Sequence, residues 1–258
     1  MAEVGTQIYL GNTKLNSAGL YFSDKLVDIN PFTVPLITDG LIFYVDAGNL
    51  SSYARSGSVV YGLNYVTGIP KTGSWNPGGI PGYTSLYGGA LILSASHEDG
   101  IVFSDSGMPS GSQSRTLGGW VYNNGTGGAP VAYGNAATNQ GQGLQQIGTN
   151  GPTFRYYGYG NDYDETVTNM WNRWVYMVGT FDGTNAKIYL NGSLIGTSNR
   201  SGWNTVLAGN TLSVGQTVLA GVNSNFINGY QAQAQIYNRV LSDAEVLQNY
   251  TADAARFT

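Results

Sequence analysis

The sequence predicts an all-β fold: an antiparallel sandwich of two sheets, closed by one short C-terminal helix and preceded by an N-terminal β-hairpin arm. Three observations predict it. Short apolar segments recur between turn clusters such as NNGTGG (123–128) and ATNQGQG (137–143), with no helical period between them. The stretch WVYMVGTFDGTNAKIYLNGSLIGT (174–197) reads as three strands joined by an Asp-Gly corner and an Asn-Gly turn. Charged residues make up only 10% of the 258, against 38 glycines and 19 tyrosines. Soluble domains usually carry roughly 25% charge, so Asn, Gln, Ser, Thr and Tyr must wet this surface.

The elements follow in order. QIYLGNTKL (7–15) alternates around Gly11-Asn12, a pair that favours a tight hairpin, and LYFSDKLV (20–27) repeats it twelve residues on. Ile8 matches Leu20, Tyr9 matches Tyr21 and Leu10 matches Phe22. Segments this short hold no core of their own, so Ile8, Leu10, Leu20 and Phe22 are expected to need a partner surface, as an assembly arm does. NPFTVP (30–35) reads as a stiff extended linker, which puts the boundary near Thr38 and gives an arm of 1–38 and a main domain of 39–258.

GLIFYVDAGN (40–49) reads as a strand buried on both faces, and the glycine-rich run from Gly68 to Gly89 as loop. Strands are expected at 90–93, 100–103, 116–122, 131–133, 144–147, 153–159 and 211–215. In AKIYL, Ala186, Ile188 and Leu190 share one face and Lys187 and Tyr189 the other, before Asn191-Gly192 supplies two positive-φ positions. YQAQAQIY (230–237) alternates strictly, which places Tyr230, Ala232, Ala234 and Ile236 on one face and Gln231, Gln233 and Gln235 on the other. Ser242 with Glu245 makes a capping box and Leu241 with Val246 a hydrophobic staple, so a helix is predicted from Asp243 to about Tyr250.

Composition excludes several function classes. A net charge of −4 and a pI near 4.8 leave no electrostatic footprint for nucleic acid. No apolar run approaches the roughly 20 residues of a membrane span, and residues 1–11 have no signal-peptide pattern. With no cysteine and a single histidine, disulfides, thiolate metal sites and multi-histidine sites are out.

The segment from Trp174 to Tyr250, with its Trp-led strand, Phe-Asp-Gly corner, Tyr-Leu-Asn-Gly hairpin and final strand running into NRVLSDAE, resembles the laminin G-like, concanavalin A-like jelly-roll family. The likeness extends loosely back to Gly40, and GLIFYVDAGNLSSYARSGS (40–58) and the IYLGNTKL arm are similar to segments of bacteriophage virion proteins. The resemblance implies a jelly-roll sandwich, and also a structural calcium ion, for which Asp46 and Asp182 are the positions to try. Against calcium stand Gln231, Gln233 and Gln235, where relatives carry acids, and the simpler reading that Asp182 caps a turn beside Gly183.

Catalysis finds little footing. Glucanase relatives carry an E-x-D-x-x-E strand, and no such string exists here. HEDG (97–100) and NDYDE (161–165) read as solvated turns, His97 has no glycine-flanked serine partner, and GGIPGYTSLYGG lacks the ending of a phosphate loop. Aromatic residues are the suggestive surplus. FRYYGYGNDYDE (154–165) puts Tyr157 and Tyr159 opposite Tyr156 and near Asp162, and SGWNT (201–205) offers Trp203 beside Asn204. Stacking rings with neighbouring amides and carboxylates suit sugar recognition, although such rings also fill cores and interfaces. The expectation is a non-enzymatic structural protein of a phage virion surface, a capsid decoration, fibre or tail adhesin, present as a homo-oligomer or in many copies and made in the host cytoplasm. Its arm would dock on other virion proteins, and its jelly-roll would bind a neutral cell-surface glycan through Tyr157, Tyr159, Asp162, Trp203 and Asn204. A free lectin is the alternative and a polysaccharide-degrading enzyme the third reading.

Overall fold

The computed structural model describes residues 34–75, 82–125, 127–148, 153–219 and 222–257, with the backbone alone for 9–10, 13–14, 20–22, 25–27 and 219. The chain divides into two compact units, Met1–Pro35 and Leu36–Thr258. In the first, β1 (Tyr9–Leu10) pairs with β2 (Thr13–Lys14), and β3 (Leu20–Phe22) with β4 (Lys25–Val27). The register repeats with the sequence: Leu10 stands opposite Thr13, and Phe22 opposite Lys25. Ile8 and the side chains of Leu10, Leu20 and Phe22 lie outside the described residues.

The second unit is a sandwich of two large antiparallel sheets. One has eight strands in the order β15 (Tyr163–Thr166), β14 (Thr153–Tyr157), β13 (Gly141–Ile147), β12 (Gly128–Gly134), β19 (Leu212–Val214), β10 (Ile101–Phe103), β7 (Lys71–Trp75) and β6 (Val59–Gly62). The other has nine: β18 (Ser193–Asn199), β17 (Asn185–Leu190), β16 (Trp174–Phe181), β11 (Arg115–Asn123), β22 (Gly229–Gln231), β9 (Ala90–Leu93) and β8 (Gly82–Thr84) in order, with β23 (Gln233–Tyr237) pairing both β11 and β5 (Leu41–Asp46). A separate hairpin, β20 (Thr217–Leu219) and β21 (Val222–Ser224), follows β19, and one helix, α1 (Asp243–Ala254), ends the unit.

Alternation along the strands creates two apolar layers. Val121, Met177, Phe181 and Ile188 of the nine-stranded sheet meet Leu144, Phe154 and Tyr156 of the eight-stranded sheet in the main core. On its other face the nine-stranded sheet turns Leu41, Trp120, Tyr176, Tyr189 and Tyr237 toward Leu241 and Val246 of the helix segment, with Leu36 and Ile37 packed against them. The capping box forms as the sequence predicts, and α1 runs to Ala254, one turn beyond the expected end.

Three expectations are corrected. The stretch from Gly68 to Gly89 is not loop throughout, since it holds β7 and β8. Its alternation is hidden because the inward position of β7 is Gly73, where a Cβ would fall 2.4 Å from the Phe103 ring; the ring fills the space that an apolar side chain would otherwise mark. NDYDE (161–165) is not merely a turn, because β15 begins at Tyr163. The strict alternation of residues 230–237 breaks at Ala232. Gln231 pairs with Val121 but Gln235 with Gly118, so three residues oppose two, a one-residue bulge that reverses the faces on either side of it. Tyr230 and Ala232 therefore face the helix layer, whereas Ala234 and Ile236 enter the main core. The bulge presses on Gly119, where a Cβ would lie 2.3 Å from the Gln233 carbonyl oxygen.

Candidate functional site

The outer face of the eight-stranded sheet carries a cleft of about 530 Å³ lined by Gln145, Ile147, Arg155, Tyr157, Tyr159, Asp162, Val222, Ser224 and Asn225, among others. Its floor comes from β13 and β14. Phe154 and Tyr156 of β14 point into the core, so Arg155 and Tyr157 point out, with Gln145 opposite Arg155 and Gly143 opposite Tyr157. The pair Gly141 and Gly143 makes the floor low. A Cβ at Gly143 would stand 2.2 Å from Cε1 of Tyr157, so that ring lies down in the space of the missing side chain. One wall is the turn Gly158–Asp162, and the other is the β20–β21 hairpin.

The cleft's charges are locked. Arg155 donates to both oxygens of Asp164 at 2.7 and 2.8 Å and pairs with Asp162 Oδ2 at 3.0 Å. The Asp164 bonds and the neighbouring carboxylates hold the guanidinium above its ordinary range despite partial burial. Asp162 Oδ1 accepts from the Gly158 amide and so ties down the turn that carries Tyr159. Gln145, 7% accessible, sits at the floor with its Nε2 3.5 Å from Thr217 Oγ1, a long bond. With one guanidinium set against two carboxylates, the cleft offers no surplus positive charge, and what it presents is amide, hydroxyl and ring edge.

The structure brings together Tyr157, Tyr159 and Asp162 but not Trp203 and Asn204. Trp203 is not an exposed platform. It is 1% accessible, packs on Tyr156 and Phe181, and donates its indole N–H to the Asn161 carbonyl at 2.8 Å. Asn204 is exposed, and its backbone amide donates to the Asn139 carbonyl. Tyr157 is a floor rather than a stacking face: it is only 3% accessible, and burial drives its hydroxyl well above the usual phenol range. The accessible ring is Tyr159, 38% exposed and held at φ +42°. Sequence reasoning missed Gln145, Arg155 and the β20–β21 wall. The alternating pair in Gly141-Gln142-Gly143 is the signal that could have found the floor, since two glycines on one face of a strand leave room for a ring.

The proposed calcium ligands do not fit a cation. Asp46 is 7% accessible, and both its oxygens bind Arg256, at 2.9 and 3.0 Å, while also accepting from the Gly48 amide, the Tyr44 hydroxyl and Gln233. Asp182 caps its turn by accepting from the Thr184 and Asn185 amides. Burial opposes its ionisation, yet those bonds prevail and keep the carboxyl below its ordinary value. Among the described residues no three acidic or histidine side chains are gathered as a metal site. Gln233 serves α1 instead, its Nε2 reaching Asp253 at 2.9 Å, and Gln235 accepts from the Tyr176 hydroxyl of β16 at 2.8 Å.

His97 ends a short 3₁₀ turn, and Asp99 accepts from the Ser94 amide. A second depression, of about 450 Å³, lies beside Gly107, Pro109 and Asn238, where Gln113 accepts from the Ser110 amide. Among the described residues no helix is long and apolar enough to cross a membrane.

Two packed antiparallel sheets with a shallow polar cleft on one face define a lectin-like jelly-roll sandwich. The family model Laminin_G_3, the concanavalin A-like lectin/glucanases superfamily, matches residues 95–247, and the chain belongs to that superfamily. No curated protein matches the sequence. Among solved structures, the receptor-binding domain of a botulinum neurotoxin C/D mosaic serotype superposes with a TM-score of 0.58 at 13% identity, over 83% of this chain and 51% of that one. The binding domain of Paraclostridial Mosquitocidal Protein 1 gives 0.57 at 14% identity, over 82% and 52%. Domain 4 of AbnA, a GH43 extracellular arabinanase from Geobacillus stearothermophilus solved with arabinotriose, gives 0.55 at 18% identity, over 83% of this chain and 99% of that one. The chain thus spans about half the length of the toxin domains and matches nearly all of the arabinanase domain.

Proposed function

We propose that this chain is a non-enzymatic protein of a bacteriophage virion, and that its sandwich is displayed at the particle surface to bind a neutral glycan in the cleft bordered by Tyr159. The observation that carries the glycan reading is the cleft itself. A low floor made by two glycines, one exposed ring, a floor amide held only by a long bond and a neutralised arginine suit a sugar's C–H face and hydroxyls better than they suit an ionic ligand. A neighbour that is a receptor-binding domain, and another solved with arabinotriose, support a binding role on this scaffold. The engagement of Asp162 and Asp164 by Arg155, and of Glu165 by the Tyr163 hydroxyl at 2.7 Å, leaves these carboxylates as supports and not as an acid–base pair.

The virion reading rests on the arm. Two hairpins with one register, repeated within 27 residues, are too small to bury a core and suit docking on other subunits, in many copies. Weak single sites then act together. A glycan array probed with a multimerised full chain tests the binding reading: signal on neutral glycans that falls in Tyr159→Ala supports it, and a blank array or signal confined to acidic glycans defeats it.

A further inference from the structure

The helix-facing side of the nine-stranded sheet is only partly covered by α1. Past the helix, side chains from four neighbouring strands stand in one cross-strand row: Ile92 opposite Tyr230, Tyr230 opposite Tyr122, and Tyr122 opposite Trp174. With strands about 4.8 Å apart, the row runs on the order of 14 Å across the sheet. Ring centroids lie 5.6 Å apart for Tyr122 and Tyr230 and 6.0 Å for Tyr122 and Trp174. Tyr87 joins them from a separate turn, 5.2 Å from Trp174, and it and Ile92 are 39% and 40% exposed.

This surface is held in place by specific devices. Tyr87 sits at φ +57°, a strained conformation for a residue with a side chain. Its carbonyl accepts from Arg256 Nε at 3.4 Å, and Arg256 is anchored in turn by Asp46. Phe257 lies 4.6 Å from Trp174 and 4.4 Å from Trp120, which fixes the far end of the row. Strain at an exposed aromatic residue, maintained by a partly buried ion pair, is an arrangement that packing alone does not require.

We propose that this row is a second saccharide platform, separate from the cleft and on the opposite sheet, and that it takes a neutral polysaccharide chain lying across the strands. No member of the row is charged at neutral pH, so an uncharged ligand is the electrostatic match. The hydroxyls of Tyr87, Tyr122 and Tyr230 have no hydrogen-bond partner among the described residues. A lipid surface or an apolar protein face would bury those hydroxyls without partners, at a cost, whereas linked sugar rings offer apolar faces to the rings and hydroxyls to the phenols. The inference does not depend on the cleft reading.

Affinity electrophoresis of the full chain tests it, in gels containing hydroxyethylcellulose, galactomannan, arabinan or dextran, with polygalacturonate as the charged comparison. Retardation is expected in at least one neutral gel. In a Tyr159→Ala background, which removes the cleft's ring, the Tyr87→Ala/Tyr230→Ala change should weaken the retardation that remains about tenfold, the factor that 1.4 kcal/mol represents. Tyr122→Phe/Tyr230→Phe keeps the packing and removes two hydroxyls, and should weaken it about threefold. The proposal is overturned by the absence of retardation in all four neutral gels, by retardation unchanged in both double variants, or by conversion of a dimer to a monomer in Tyr87→Ala/Tyr230→Ala on sedimentation.

Discussion

Trp203 and Tyr159 were both candidate stacking rings in the sequence, the first in a loop and the second at the end of an expected strand, and the fold separates them. Trp203 closes the core against Tyr156 and Phe181, and Gly158 is glycine because a Cβ there would lie 2.0 Å from the indole nitrogen. Trp203→Ala should therefore cost about 3–5 kcal/mol of stability, read as a lower denaturant midpoint at unchanged slope. Tyr159→Ala should leave stability within about 0.5 kcal/mol and weaken glycan binding roughly tenfold. The residue types raised the expectation of aromatic recognition. Which ring stays wet was not legible, because it depends on the reach of a turn whose end is tied by Asp162 to Gly158 and by Arg200 to the Asp162 carbonyl.

At the scale of elements, the Asn-Gly hairpin was legible and the Gln-rich strand was not. Asn191 and Gly192 hold φ at +50° and +81°, as a two-residue turn between twisted strands needs, and Asn191 Oδ1 also accepts from the Tyr176 amide. Replacing both with Ala should lower stability by on the order of a few kcal/mol. Residues 230–237 show a period of two, but the bulge that reverses it is written elsewhere, in Gly119 on the neighbouring strand. Gly119→Ala is expected to cost about 1–3 kcal/mol, since the new methyl meets backbone that cannot turn aside. Local pattern thus recovered many of the strands, missed β7, β8 and β15, and misplaced the faces of residues 230–237, where a glycine on the partner strand accommodates the bulge.

The helix cap adds a pH dependence. Arg239, followed by the Ser242 amide, draws the Glu245 carboxyl from its ordinary 4.5 down to about 2 against the opposing effect of burial. A folded-state pKa below the unfolded one means stability that is fully present above about pH 4.5 and lost as pH falls through about 2. Glu245→Gln should flatten that part of the acid-unfolding profile.

For the whole molecule, fold class was the most legible feature, because many short alternating segments and the signature from Trp174 to Tyr250 all point one way. The site was less so, since β13, β14 with its following turn, and the β20–β21 hairpin bring it together from three separate parts of the chain. The arm makes a prediction at this scale. If residues 1–38 dock the protein on other virion subunits, their removal should leave a folded sandwich that no longer joins particles, as mass spectrometry of purified virions would show. Full incorporation of the truncated chain would remove the arm from the account.

The central claim is that the sandwich recognises a glycan on the outer face of its eight-stranded sheet. Its most direct test is a crystal structure of the chain with the neutral glycan that gives the strongest array signal. The account predicts a sugar ring against Tyr159, with its hydroxyls at Gln145 and at the Ser224–Asn225 wall. A sugar bound only at a distance from that cleft, or the absence of any neutral glycan to crystallise, would contradict it.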